Sequence, residues 1–178
     1  PKEDHRHRVE HMGNELTSKE RIKRAKRLRV IPVPTVEWVY AYGDFIETYL
    51  GPERARQSFL IKSLLDEGLR PPGSSDTLGT EPLSINPFFS IWCAVTRRTF
   101  AGNVLIPEES ISVMDAIRMY TINGAYAGFE EDIKGSIEPG KLADMIVISD
   151  DILTISTDKI KDVWVEMTII DGKIVYQR

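Results

Sequence analysis

The chain has 178 residues, with 23 basic and 27 acidic side chains and a formal net charge of −4. That length fits one ordinary domain or slightly more. A composition of 42% hydrophobic and 28% charged residues excludes a disordered or disulfide-rich class. Because phosphate binding requires a basic face, the acidic balance argues against a nucleic acid partner. The one dense basic run, residues 19–29, is expected to be the solvated face of a helix.

The cysteine count and the hydropathy pattern indicate a compartment. Cys93, the single cysteine, lies in an apolar run, where a buried structural thiol in a reducing compartment is expected. No apolar stretch approaches the roughly 18 residues of a membrane helix, and the first residues lack a signal-peptide pattern. We therefore expect a cytoplasmic protein without a membrane partner.

The first third of the chain contains a histidine-bearing segment, followed by a predicted helix and a predicted strand. All three histidines lie within the first eleven residues, and an extended segment would place them on one face: His5, His7 and His11. A helix within residues 17–29 is predicted to begin after the cap residue Ser18. An apolar strand is predicted over residues 28–33.

The middle of the chain reads as helices separated by a turn-rich stretch. One helix is predicted from Pro52 to Gly68, with proline at its first position. After the turns, Asn86-Pro87 opens an apolar helix. A further helix is predicted to begin with the capping box of Ser112 and to end at Gly128.

From residue 135 the pattern changes to strands. Residues 145–148 are predicted to form a buried strand, and residues 163–170 and 174–176 a hairpin joined by Asp171-Gly172. This order predicts an α/β unit over residues 1–134 and a small sheet unit over residues 135–178.

Imidazole nitrogens and carboxylate oxygens are the ligands of many hydrolytic zinc sites. His5, His7 and His11 are weak candidates from spacing alone, since such pairs are common on exposed strands. Asp76 is a stronger candidate because Gly73-Ser74-Ser75 frees the backbone before it, although a helix cap or an Asx-turn is the alternative. Nucleotide-binding glycine loops and the Gly-x-Ser-x-Gly elbow are absent from the sequence.

Six stretches carry a further signal through their order and spacing: residues 7–11, 50–54, 73–76, 94–97, 120–123 and 134–144, the last containing Gly-Ser-Ile-Glu-Pro-Gly-Lys-Leu-Ala-Asp. Together they closely resemble the C-terminal part of the amidohydrolase family, in its branch of metal-dependent hydrolases with a TIM-barrel fold. The resemblance covers nearly the whole chain. It implies about strands six to eight of a (β/α)₈ barrel, followed by strands of a small β-sandwich.

The resemblance also implies a chemistry. His11, ending strand six, would bind a divalent metal, usually zinc; Asp76, ending strand eight, would bind the metal and act as general base on metal-activated water. The implied reaction is hydrolysis of a non-peptide C–N bond in a small-molecule amide, cyclic amide or N-acyl compound. His5 and His7 precede the ligand position and receive no role.

Two departures from the family pattern lead to further expectations. The family's first-strand His-x-His pair, fourth-strand bridging residue and fifth-strand histidine have no counterpart here, so we expect the isolated chain to hold zinc poorly and to be inactive. Strand eight contains Pro71 and Pro72, which cannot donate hydrogen bonds, so a shortened strand or a displaced Asp76 is expected.

Two more expectations concern the molecule as a whole. The open strand edges and apolar helix faces of a partial barrel predict self-association into a homo-oligomer. The alternative to an enzyme is a non-catalytic scaffold or interaction module that retains the amidohydrolase fold.

Overall fold

A computed structural model describes residues 3–14, 17–76 and 82–178. The first two strands form a parallel sheet. Strand β1 (Arg8–Glu10) pairs with β2 (Ile31–Val33), with Val9 opposite Pro32. A third segment joins through Ser74, which forms a parallel bridge with Thr35 and donates its N–H to the carbonyl of Pro34 at 3.1 Å. The carboxyl ends of three parallel segments therefore lie at one edge.

The helix between β1 and β2 is α1 (Lys19–Arg27). The hydroxyl of Ser18 accepts the N–H of Arg21, as expected for a cap. Ile22 and Ala25 are buried while the charged side chains remain outside. The prediction of a solvated basic face is confirmed.

Three helices connect β2 to the Ser74 segment: α2 (Trp38–Leu50), α3 (Pro52–Ala55) and α4 (Ile61–Asp66). Leu64 of α4 packs against Ile22 of α1. This contact packs α4 against α1, whereas α2 begins at Trp38, shortly after β2 ends at the carboxyl edge of the sheet.

The predicted single helix from Pro52 to Gly68 is wrong, because the chain leaves the helical conformation between α3 and α4. Phe59 has a φ of +56° and is almost fully buried. The N–H groups of Phe59 and Leu60 donate to the carbonyls of Asn14 and Gly13, at 3.1 and 2.9 Å. Backbone bonds to the loop after β1 thus replace helical ones.

The main hydrophobic core lies around α5 (Pro87–Thr96) and α6 (Val113–Met119). α5 begins at Pro87 as predicted, with Asn86 as its cap, and Cys93 is completely buried. The capping box is confirmed, since the Ser112 hydroxyl accepts the N–H of Asp115 at 3.0 Å. The helix predicted to continue to Gly128 is instead divided.

The division falls between α6 and α7 (Ile122–Ala127). Thr121 has φ −130° and ψ −98°, outside the helical region. Gly128 nevertheless ends α7 as predicted.

The last strands form an antiparallel sheet in the order β3 (Met145–Ile148), β4 (Val165–Ile170) and β5 (Lys173–Gln177). Asp171 and Gly172 both have positive φ, +50° and +72°, as a type I′ hairpin turn requires. The predicted burial of β3 is wrong: Ile146 and Val147 are 49% and 47% exposed. Consecutive strand residues point to opposite faces, so both faces at this strand remain partly open.

Three short 3₁₀ helices complete the described elements: Pro82–Ile85, Pro107–Glu109 and Thr157–Asp162. Ile160 and Val163 join the same core as α5, so the C-terminal segment packs against the helical unit. The division after residue 134 stays a prediction. None of the described helices has the length and apolar character needed to cross a membrane.

Candidate metal centre

His11 is the first residue beyond β1. Its N–H donates to the carbonyl of Val33 at 2.8 Å, and its φ of +60° then turns the chain away from the strand direction. The ring of His11 stacks on Trp38, whereas the rings of His5 and His7 stack on each other, with 4.4 Å between centroids. The shared face expected for the three histidines is therefore not formed.

The side chain of His11 is held by two residues that follow β2. Its Nδ1 lies 3.0 Å from the hydroxyl oxygen of Thr35. Its ring lies almost parallel to that of Trp38, with 4.9 Å between centroids and 14° between planes. Thr35 is completely buried, so the hydroxyl belongs to a fixed part of the fold.

Asp76 lies two residues beyond the bridge at Ser74. It is half-buried, and its φ is +42°, a conformation that aspartate tolerates better than most residues. The parallel pairing of this segment is reduced to the single bridge at Ser74. Pro71 and Pro72 are buried, and the carbonyl of Pro71 accepts a hydrogen bond from the Asn123 amide at 3.0 Å. The segment is thus shortened where the prolines lack N–H groups.

The segment that leads to Asp76 is also held by a close approach at Gly73. The N–H of Gly73 donates to the carbonyl of Met119 at 3.0 Å. A Cβ at Gly73 would lie only 2.3 Å from the Cζ atom of Tyr120. Burial raises the pKa of the Tyr120 hydroxyl, so the side chain stays neutral in this contact.

The donor types at this edge fit a divalent metal, with one imidazole nitrogen from His11 and one carboxylate oxygen from Asp76. Two ligands are fewer than the three or four that such sites normally take. Over residues 3–14, 17–76 and 82–178, no group of three or more His, Cys, Asp or Glu side chains could hold a metal ion. The described residues therefore supply two donors of suitable type at this edge and no complete metal site.

No sequence pattern identifies Thr35, Trp38 and Asn14 as the residues that contact His11. The one available signal was the position of Thr35 and Trp38 immediately after an apolar strand, where the active-site loops of barrel enzymes begin. The role of Asn14 depends on hydrogen bonds to Thr35, 21 residues away in the chain, and no local sequence pattern indicates it.

Comparisons with known proteins identify the family of this chain. The model of the amidohydrolase family matches residues 1–176. N-substituted formamide deformylase from Arthrobacter pascens is 34% identical over 141 residues, which are 78% of this chain and 25% of the relative. Putative amidohydrolase YtcJ from Bacillus subtilis (strain 168) is 28% identical over 167 residues, 92% of this chain and 31% of the relative.

The fold is shared with a solved structure, an uncharacterized metal-dependent hydrolase from Pyrococcus furiosus. The TM-score is 0.68 at 27% identity, and the match covers 83% of this chain and 29% of that one. The chain thus spans 25% and 31% of the two curated relatives and has a partial α/β fold in common with the solved hydrolase. Because the family model matches nearly every residue, this chain belongs to the amidohydrolase family.

Proposed function

We propose that the chain is the C-terminal part of a metal-dependent amidohydrolase that cleaves a C–N bond other than a peptide bond. Its substrate is a small amide, cyclic amide or N-acyl compound. The supporting observation is that His11 and Asp76 follow parallel segments whose carboxyl ends lie at one edge of the sheet. Catalytic residues of α/β barrel enzymes occupy this edge.

In this proposal the three parallel segments correspond to about strands six, seven and eight of a (β/α)₈ barrel. The β3–β5 sheet supplies strands of a small β-sandwich, and the two units meet after residue 134. His11 gives a ring nitrogen and Asp76 a carboxylate oxygen to a divalent metal, for which zinc matches the donor types best. The metal, when bound, supplies Lewis-acid activation of water.

Asp76 carries the proton transfer in the same proposal. Its carboxylate accepts a proton from the attacking water and returns it to the leaving nitrogen as the C–N bond breaks, so that the nitrogen departs as a neutral amine. A half-buried position next to the sheet edge leaves the carboxylate reachable by a small substrate.

The test uses the polypeptide that contains this chain together with the sequence that naturally precedes it. Elemental analysis is expected to find bound zinc, and a panel of small amides is expected to include a substrate. Asp76→Asn should lower kcat by about 10²- to 10⁴-fold, the usual contribution of a general base. His11→Ala should lower the bound zinc, and His7→Ala, in the same N-terminal segment, is the matched control that should alter neither.

A polypeptide that binds no metal and cleaves no member of the panel would contradict the enzyme proposal. The scaffold or interaction module, which keeps the fold without the chemistry, would then be the better account.

A further inference from the structure

The backbones of His11 and Thr35 are fixed relative to each other by Asn14. The Asn14 N–H donates to the carbonyl of His11 at 3.0 Å. The Asn14 amide group then makes two hydrogen bonds to the backbone of Thr35: its nitrogen donates to the carbonyl at 2.6 Å, and its oxygen accepts the N–H at 2.8 Å. Asn14 is only 1% exposed, so this link is shielded from water.

The ring of His11 is fixed by side chains from the same loop. One edge meets the hydroxyl of Thr35 through Nδ1, and one face meets Trp38. A half-turn of the ring about the Cβ–Cγ bond would leave it parallel to Trp38 but would replace Nδ1 by a carbon atom at the Thr35 hydroxyl. The hydrogen bond to Thr35 therefore favours the orientation in which Nδ1 faces the protein.

The hydrogen bond between His11 Nδ1 and the Thr35 hydroxyl can form with either group as the donor. If the Thr35 hydroxyl donates to Nδ1, the ring proton of neutral His11 sits on Nε2 and blocks that nitrogen as a ligand. If Nδ1–H donates to the hydroxyl oxygen, the lone pair of Nε2 is free. Metal-bound histidines generally donate their second ring N–H in this second way, which fixes both tautomer and orientation.

We infer that Thr35 is a positioning residue for His11: its hydroxyl oxygen accepts Nδ1–H and so presents Nε2 as the ligand atom. This inference rests on the proposed function, in which His11 binds the metal. It adds an assignment of the ligand atom and of the residue that selects it.

The first experiment reads the tautomer in the metal-free protein. Long-range ¹H–¹⁵N NMR of the histidine rings at alkaline pH, with the His11 signals assigned by His11→Ala, should show the proton of His11 on Nδ1. Thr35→Val, which keeps the shape and removes the hydroxyl, should move it to Nε2, and Thr35→Ser should restore the wild-type pattern. Thr99→Val removes an equally buried hydroxyl that bonds to Asp44 and should change nothing at His11.

The second experiment measures zinc affinity by chelator competition in the polypeptide with its naturally preceding sequence. Thr35→Val should weaken zinc binding by about 10- to 100-fold, as loss of such a supporting hydrogen bond usually does, and Thr35→Ser should largely restore it. A proton on Nε2 in the wild-type protein, or a tautomer and an affinity that Thr35→Val leaves unchanged, would overturn the inference. An unchanged affinity in His11→Ala would instead overturn the ligand assignment of the proposed function.

Discussion

At the residue scale, Gly73 determines how closely the segment before Asp76 can approach Tyr120. The ring occupies the space of a Cβ, with Cζ at 2.3 Å and Cε2 at 2.5 Å from its ideal position. Gly73→Ala therefore forces either the ring or the segment to move. We expect a loss of about 1–3 kcal/mol in the free energy of unfolding, the usual cost of overpacking, measured by urea denaturation.

Gly124 provides the control for this prediction. It lies inside α7, and a Cβ there would meet nothing within 4 Å. Gly124→Ala should raise the free energy of unfolding by about 0.5–1 kcal/mol, because alanine loses less backbone entropy in a helix. Equal effects of the two substitutions would contradict the close contact at Gly73.

A second residue-scale prediction concerns the pH dependence of stability. Arg6 donates two hydrogen bonds to the carboxylate of Glu131, at 2.8 and 2.6 Å. Chiefly through these bonds, Arg6 lowers the pKa of Glu131 below its ordinary value of 4.5. A lowered pKa in the folded state adds stability above the unfolded-state pKa, and this stability is lost as the pH falls through the folded-state pKa.

Glu131→Gln should therefore lower the free energy of unfolding by about 1–3 kcal/mol at neutral pH. The difference from wild type should shrink as the pH falls below 4.5. Urea denaturation at a series of pH values measures it. Glu10→Gln, which removes an exposed partner of Arg8, is the control, with an expected effect below about 0.5 kcal/mol. Parallel pH profiles for wild type and Glu131→Gln would contradict the prediction.

At the scale of elements, the sequence predicts best what depends on neighbouring residues. The Ser18 and Ser112 caps and the Asp171-Gly172 turn bond within a few residues of themselves, and all three occur as predicted. The break at Phe59 depends on carbonyls of the loop after β1, which no local pattern contains. A break in a helix that depends on hydrogen bonds to a distant loop therefore cannot be predicted from the local sequence.

Glu109 shows such a distant dependence in α4. This six-residue helix has no capping side chain of its own. The Glu109 carboxylate, on a separate 3₁₀ helix, accepts the N–H of Ser63 at 2.9 Å and also its hydroxyl. Burial lowers the pKa of the Arg97 guanidinium to about 10, and the negative charge of Glu109 opposes this effect.

Glu109→Ala should leave the N–H and the hydroxyl of Ser63, in the first turn of α4, without this acceptor. We expect a loss of about 1–3 kcal/mol in the free energy of unfolding, because both partly buried hydrogen bonds are to a charged group. The neighbouring Glu108 is exposed, so Glu108→Ala should change stability by less than about 0.5 kcal/mol. Chemical denaturation of both variants distinguishes the capping role from a general effect of removing charge in this segment.

At the scale of the whole molecule, the family resemblance predicts the candidate site better than the spacing of the histidines does. His11 is not distinguished from His5 and His7 by sequence spacing, and the ordered motifs alone select it. The structure adds that His11 has Thr35 and Trp38 around it, whereas His5 and His7 contact each other. Spacing could not supply this difference because it arises where β1 and β2 end side by side.

The exposed apolar surface of the β3–β5 sheet carries the last prediction, self-association of the isolated chain. Large apolar side chains stand open along this sheet: Ile146, Val147, Ile170, Ile174, Val175 and Tyr176. Of the described strands, β3 and β5 each pair with β4 alone, so each leaves one edge without a strand partner. Open edges and apolar patches both favour contact with a second copy.

Light scattering over a range of concentrations should therefore find oligomers. Ile174→Lys should weaken association about tenfold or more, because burial of one isoleucine contributes about 1.5–3 kcal/mol. Leu28→Lys is the matched control, since Leu28 is similarly exposed but caps α1 instead of lying in the sheet. A monomer at every concentration would contradict the prediction, and an equal effect of both substitutions would place the contact away from the β3–β5 sheet.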